Sequence, residues 1–131
     1  MKEQVNYKHM KITTIICGML LSFFSFQGFA QKQEVSASRA EKNYNRYAYV
    51  DAIANYEELA EKGYKSEEMY QQLGNSYYFI AELPKALKWY DLLFASYPEQ
   101  KEIEYYYRYS QVLKSVGNYE KANKMLEQFS L

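Results

Sequence analysis

Apolar side chains recur at helical spacing between residues 83 and 97. They occupy positions 83, 86, 87, 90, 93, 94 and 97, the i, i+3, i+4, i+7 order of one buried helix face. Pro84 lies in the first turn, where its missing N–H costs little, and Pro98 follows the end, where proline blocks further helix. The pattern predicts an amphipathic helix over about residues 83–96.

The same reasoning applied along the chain predicts six helices and no strand. Gly63 and the pair Gly117-Asn118 mark further helix ends, and no stretch alternates between apolar and polar residues as a strand does. The predicted helices lie near residues 35–47, 49–62, 66–80, 83–96, 101–116 and 119–130. The predicted fold class is therefore all-α.

Three segments of the chain are similar to one another. When Ala52, Ala86 and Ala122 are aligned, each has a large apolar or aromatic residue three positions before it and another four positions after it. Ala86 follows Ala52 by 34 residues, and Ala122 follows Ala86 by 36. A helix-turn-helix unit of about 34 residues has this period, so we expect the helices to form three antiparallel pairs.

The middle unit contains Tyr70-x-x-Leu73-Gly74-x-x-Tyr77, followed by Ala86-x-x-x-Tyr90 and Pro98. This order resembles the signature of the tetratricopeptide-repeat (TPR) family, with tyrosine at two of its aromatic positions. The resemblance implies a right-handed α-solenoid of three repeats, about residues 35–66, 67–102 and 103–131, in a domain over 31–131. Gly74 and Ala86 would lie where two helix backbones approach closely. The implied repeat framework is Ala52, Tyr70, Leu73, Gly74, Tyr77, Ala86, Tyr90, Pro98 and Ala122.

The resemblance also implies a concave face, lined by the first helix of each pair, that holds peptides or partner proteins. The candidate partner-binding residues of the second and third repeats are Gln71, Asn75, Tyr78, Phe79, Tyr107, Gln111 and Lys114, with Arg108 beside them. The first repeat adds Ala37, Glu41, Tyr44 and Asn45. Aromatic rings interleaved with amides suit an extended chain whose backbone is hydrogen-bonded and whose side chains pack on rings.

The many aromatic residues have two interpretations. We expect six tyrosines at framework positions to belong to the core, namely Tyr70, Tyr77, Tyr90, Tyr106, Tyr109 and Tyr119. We expect Tyr78, Phe79 and Tyr107 to be exposed. For these three residues the sequence favours neither contact with a partner nor a purely structural role.

The first 30 residues have the three parts of a secretory signal peptide. Lys2, Lys8 and Lys11 give a positive start, an apolar run covers residues 12–26, and Gly28 and Ala30 provide small residues before Gln31. We expect cleavage after Ala30 and export to the periplasm, in association with the outer membrane. The alternative is an uncleaved membrane anchor, because the apolar stretch is close to the length that spans a bilayer.

Removal of residues 1–30 would leave a chain without histidine or cysteine, since His9 and Cys17 lie in the leader. That composition excludes His- or Cys-ligated zinc, His-dependent nucleophilic catalysis and disulfides. Residues 31–131 carry 13 Lys and Arg against 15 Asp and Glu, a balance that argues against nucleic-acid binding. The carboxylate pairs Glu57-Glu58 and Glu67-Glu68 are typical of solvated helix faces. We therefore expect neither catalysis nor a cofactor or metal.

The last helix is expected to leave Ala122, Met125, Leu126 and Phe129 uncovered, which favours self-association or a covering partner. The sequence of the segments 40–44, 49–53, 59–64 and 73–78 is similar to that of the N-terminal repeats of OmpA-like envelope proteins. The sequence thus predicts a non-catalytic adaptor or scaffold in the cell envelope that binds proteins or peptides. The alternative is a truncated N-terminal arm of an OmpA-like structural protein.

Overall fold

The computed structural model describes residues 27–128, and the chain divides into two compact units, residues 1–35 and 36–131. In the first unit the described residues, 27–35, are helical. The second unit contains helical residues 36–45 (α1), Tyr49–Glu61 (α2), Glu67–Phe79 (α3), Leu83–Ser96 (α4), Ile103–Ser115 (α5) and Tyr119–Glu127 (α6). Residues 27–128 contain no strand, so the all-α prediction is confirmed.

Four turns between the described helices share one backbone geometry. One lies between α2 and α3, where Gly63 has φ of 84° and the Tyr64 N–H donates to the Leu59 carbonyl at 3.0 Å; the other three lie between α1 and α2, α3 and α4, and α5 and α6. Tyr47, Ala81 and Gly117 each have a positive φ, of 63°, 61° and 79° respectively. The N–H of the following residue donates to the carbonyl five positions earlier, at 2.9 Å in all three turns. This is the hydrogen bond of a Schellman helix end. We call these three positions the repeat turns; they are separated by 34 and 36 residues, the spacing of the aligned alanines.

The core of the second unit runs through all six helices. α3 packs against α2, α4 and α5, while α4 also packs against α5, and α5 against α6. The aligned residues Ala52, Ala86 and Ala122 are completely buried, which explains why each position holds a small side chain. The other buried framework residues are Tyr70, Leu73, Gly74, Tyr77 and Tyr90, whereas Pro98 is exposed just beyond the end of α4.

Gly74 makes room for a ring rather than for a second backbone. A Cβ added at Gly74 would lie 3.0 Å from Cε1 and 3.1 Å from Cδ1 of the buried Tyr90 side chain. α3 and α4 therefore meet through the Tyr90 ring, which fills the space beside Gly74.

The loop between α4 and α5 is anchored by a buried lysine. The Lys101 ammonium lies 2.7 Å from the Glu67 carboxylate in the first turn of α3, and it donates to the Glu99 carbonyl at 3.0 Å. The Lys101 N–H also donates to the Tyr106 hydroxyl at 3.3 Å. These bonds fix the loop against the start of α3.

Two expectations about the last helix are wrong. Tyr119, expected in the core, is 63% exposed at the first position of α6. Ala122, expected to be uncovered, belongs to the core because α6 packs on α5. Met125 and Leu126 are half-buried, and Phe129 lies outside the described residues.

Candidate functional site

The face formed by α1, α3 and α5 is held together by the side-chain amide of Asn75. Its Nδ2 donates to the Tyr44 hydroxyl at 2.9 Å, and its Oδ1 accepts from the Tyr90 hydroxyl at 2.7 Å and from Arg108 Nη1 at 3.1 Å. One side chain thus links α1, α3, α4 and α5. Asn75 is only 2% exposed, so it supports this face from beneath instead of presenting an open amide to a partner.

Arg108 connects this buried amide to the surface. Its Nη2 donates to Glu104 Oε2 at 2.9 Å, and its guanidinium lies 5.0 Å from the centre of the Phe79 ring. Arginine over a ring gains from the cation–π attraction and from planar stacking. Arg108 therefore stabilises the position of Phe79, which is the last residue of α3.

Gln71 contributes a second bridge between α3 and α5. Its Oε1 accepts from the Tyr105 hydroxyl at 3.4 Å, and its Nε2 donates to Glu67 at 3.3 Å. Burial raises the pKa of Tyr105 and of Tyr90, although the Arg108 charge opposes the shift at Tyr90. A tyrosine hydroxyl is already protonated at neutral pH at its ordinary pKa of about 10, so both hydroxyls are donors there.

An open depression of about 340 Å³ lies on this face, lined by Tyr78, Ile103, Glu104, Tyr107 and Arg108. Tyr107 and Ile103 are exposed and Tyr78 is half-buried. The expected exposure of Tyr107 is thus confirmed, and it holds for Tyr78 in part. Sequence reasoning missed Ile103 and Glu104 as lining residues, although they precede Tyr107 by four and three positions and so share its side of a helix.

Gln111 and Lys114 lie further along α5, half-buried, and do not line the depression. Phe79 is exposed, as expected, but it contacts the rings of its neighbours. The ring of Tyr49 lies 4.9 Å and that of Tyr78 5.8 Å from its ring centre.

A row of rings that the sequence did not reveal extends from Phe79. Tyr49, at the start of α2, also contacts the rings of Tyr44 at 5.7 Å and Tyr47 at 6.2 Å. Tyr47 is 78% exposed. The predicted helix over residues 35–47 includes Tyr47, but the helix ends at residue 45 and Tyr47 occupies a repeat turn.

Among residues 27–128, no three His, Cys, Asp or Glu side chains are grouped so as to hold a metal ion. Over the same residues, no helix combines the length and the apolar character that crossing a bilayer requires. No protein-family model and no curated protein matches the sequence.

Proposed function

We propose that this chain is an exported, non-catalytic interaction module that binds an extended segment of a protein partner on the face of α1, α3 and α5. The observation that carries the proposal is the open depression between Tyr78 and Tyr107, built directly on the Asn75 hydrogen-bond network. A surface that is already ordered loses little conformational freedom when a ligand binds.

The proposal includes a right-handed solenoid of three TPR-like repeats, as the sequence resemblance implies. Two observations support it: the repeat turns recur at 34 and 36 residues with the same backbone geometry, and α3 contacts α5 as well as α4. In stacked repeats, the first helix of one pair is expected to contact the first helix of the next pair.

Recognition in this proposal requires neither catalysis nor a cofactor. The exposed rings of Tyr107 and Phe79 supply apolar contact area, and Gln111 and Lys114 supply polar groups beyond the depression. Aromatic side chains lose little rotamer freedom on binding, which makes them effective contact residues.

The test is site-specific photo-crosslinking in the producing cell. Benzoylphenylalanine at position 107 should form a covalent adduct with one partner protein, identified by mass spectrometry. The same probe at Lys88, an exposed residue of α4, should not. Equal labelling at both positions would contradict the assignment, and the absence of any adduct at 107 would favour the alternative of a structural arm.

Export and self-association are separate parts of the proposal. If residues 1–30 are a signal peptide, the chain recovered from the periplasm should begin at Gln31; recovery of the intact N-terminus would indicate an anchor instead. If copies associate through the last helix, the photo-probe at the exposed Tyr119 should link two copies of this chain.

A further inference from the structure

The depression on the face of α1, α3 and α5 combines an apolar lining with one accessible carboxylate. Tyr78, Ile103 and Tyr107 provide rings and aliphatic surface, and the Glu104 side chain is 68% exposed. The volume of about 340 Å³ is at the lower end of ligand pockets. Because the depression is also open to solvent, a side chain of a partner can enter it from the surface.

Arg108 also lines this depression, but its guanidinium is mostly covered and already paired. Its side chain is 19% exposed, and its two terminal nitrogens already donate to Asn75 and to Glu104. The Phe79 ring lies against the guanidinium. The Glu104 carboxylate is consequently the more accessible of the two charges that line the depression.

The segment that leads into α5 adds to this negative character. Lys101 is buried and paired with Glu67, whereas Glu99 and Glu102 are exposed. The charges that solvent reaches between residues 98 and 104 are therefore all carboxylates. Such a field attracts basic segments and repels acidic ones.

We propose that the depression binds a lysine or arginine side chain of the partner, an inference that rests on the proposed function. The aliphatic part of that side chain packs against Tyr78, Ile103 and Tyr107, and its cationic end donates to the Glu104 oxygen that Arg108 leaves unused. The tyrosine rings add a cation–π attraction. The aliphatic part of a basic side chain matches the apolar lining, and its charged end matches the Glu104 carboxylate.

The experiment is a selection of random nonapeptides, displayed on phage, against the purified full chain. Selected peptides should share a lysine or arginine at one position. Their synthetic copies, measured by fluorescence anisotropy, should bind the Glu104→Gln variant about tenfold more weakly, as expected for loss of a charge-assisted hydrogen bond. Replacing the shared basic residue by norleucine should weaken binding similarly and abolish the sensitivity to Glu104→Gln.

Two further variants test whether the weaker binding expected of Glu104→Gln arises within the depression. Glu127→Gln makes the same charge change on α6, outside the depression, and should leave the affinity unchanged. Tyr107→Leu keeps an apolar side chain but removes the ring, and it should weaken the basic peptides while leaving the Arg108–Glu104 pair in place.

The outcomes separate this inference from the proposed function. Peptides that require Tyr78 and Tyr107 but share no basic residue, or that bind Glu104→Gln as tightly as the unmodified chain, overturn the inference and leave the proposed function standing. Acidic consensus peptides overturn it as well. A selection that yields no peptide dependent on this face overturns both.

Discussion

The contact between Gly74 and the Tyr90 ring leaves little room at position 74, because a Cβ there would lie 3.0 Å from the ring. Tyr90 is completely buried and its hydroxyl is tied to Asn75, so the ring cannot move away freely. Asn75 in turn bonds Tyr44 on α1 and Arg108 on α5. A single glycine therefore permits the arrangement on which the candidate site is built.

Gly74→Ala should destabilise the chain by about 1 kcal/mol. Alanine gains up to about 1 kcal/mol in helix propensity, but overpacking a tight core costs typically about 1–3 kcal/mol. Urea unfolding followed by circular dichroism measures the difference. In a Tyr90→Leu background the same substitution should lose its cost, and an equal cost in both backgrounds would show that Tyr90 is not its source.

Ser76 offers a matched comparison with Ser110. Within the described residues the buried Ser76 Oγ has no hydrogen-bond partner, whereas Ser110 Oγ donates to the Tyr107 carbonyl at 2.7 Å. Ser76→Ala should therefore leave the free energy of unfolding unchanged or raise it by up to about 1 kcal/mol. Ser110→Ala should be the less favourable of the two. The opposite order in urea unfolding would contradict this assignment of partners.

The repeat turns place three different residues in the same left-handed conformation. Glycine adopts a positive φ at no steric cost, while alanine and tyrosine do not. The chain therefore contains a substitution series at one structural position: Tyr47, Ala81 and Gly117.

Ala81→Gly should stabilise the chain by about 1 kcal/mol, and Gly117→Ala should destabilise it by a similar amount. The gain at Ala81 is reduced by the extra freedom that glycine gives the unfolded chain. Thermal and urea unfolding of both variants provide the measurement. If the two substitutions shift stability in the same direction, the repeat turns do not share one conformation.

The sequence predicted the helices well but did not predict the function of individual turns and amides. Gly117-Asn118 marks a helix end by residue type, whereas Tyr47 and Ala81 are recognised only through their spacing from Gly117. The buried helix face of α4 follows from its apolar positions, since that periodicity is local. The burial of Asn75 does not, because its partners Tyr44 and Arg108 are 31 and 33 residues away.

Several buried tyrosines make the stability of the whole molecule sensitive to alkaline pH. Burial, together with neighbouring carboxylates, raises the pKa of Tyr56, Tyr77 and Tyr109 above its ordinary value. Burial does the same at Tyr90, against the opposing charge of Arg108. Each of these side chains must therefore stay protonated for the native packing to persist.

The free energy of unfolding should stay constant up to about pH 9.5 and fall as the pH rises past the unfolded tyrosine pKa of about 10. A group whose pKa is raised by folding contributes its full stability below the unfolded value and loses it above, by at most about 1.4 kcal/mol per pH unit for each proton. Urea unfolding at several pH values, with tyrosinate absorbance recorded in parallel, measures this slope.

Lysines also titrate in this range, so the slope needs a matched pair of tyrosine variants. Tyr109→Phe removes a buried hydroxyl that donates to Asp91, and Asp91 keeps its ion pair with Lys121 at 2.8 Å. Its slope above pH 10 should therefore be shallower than that of the unmodified chain. Tyr119→Phe removes an exposed hydroxyl and should leave the slope unchanged. If both variants keep the full slope, the alkaline loss of stability comes from groups other than Tyr109.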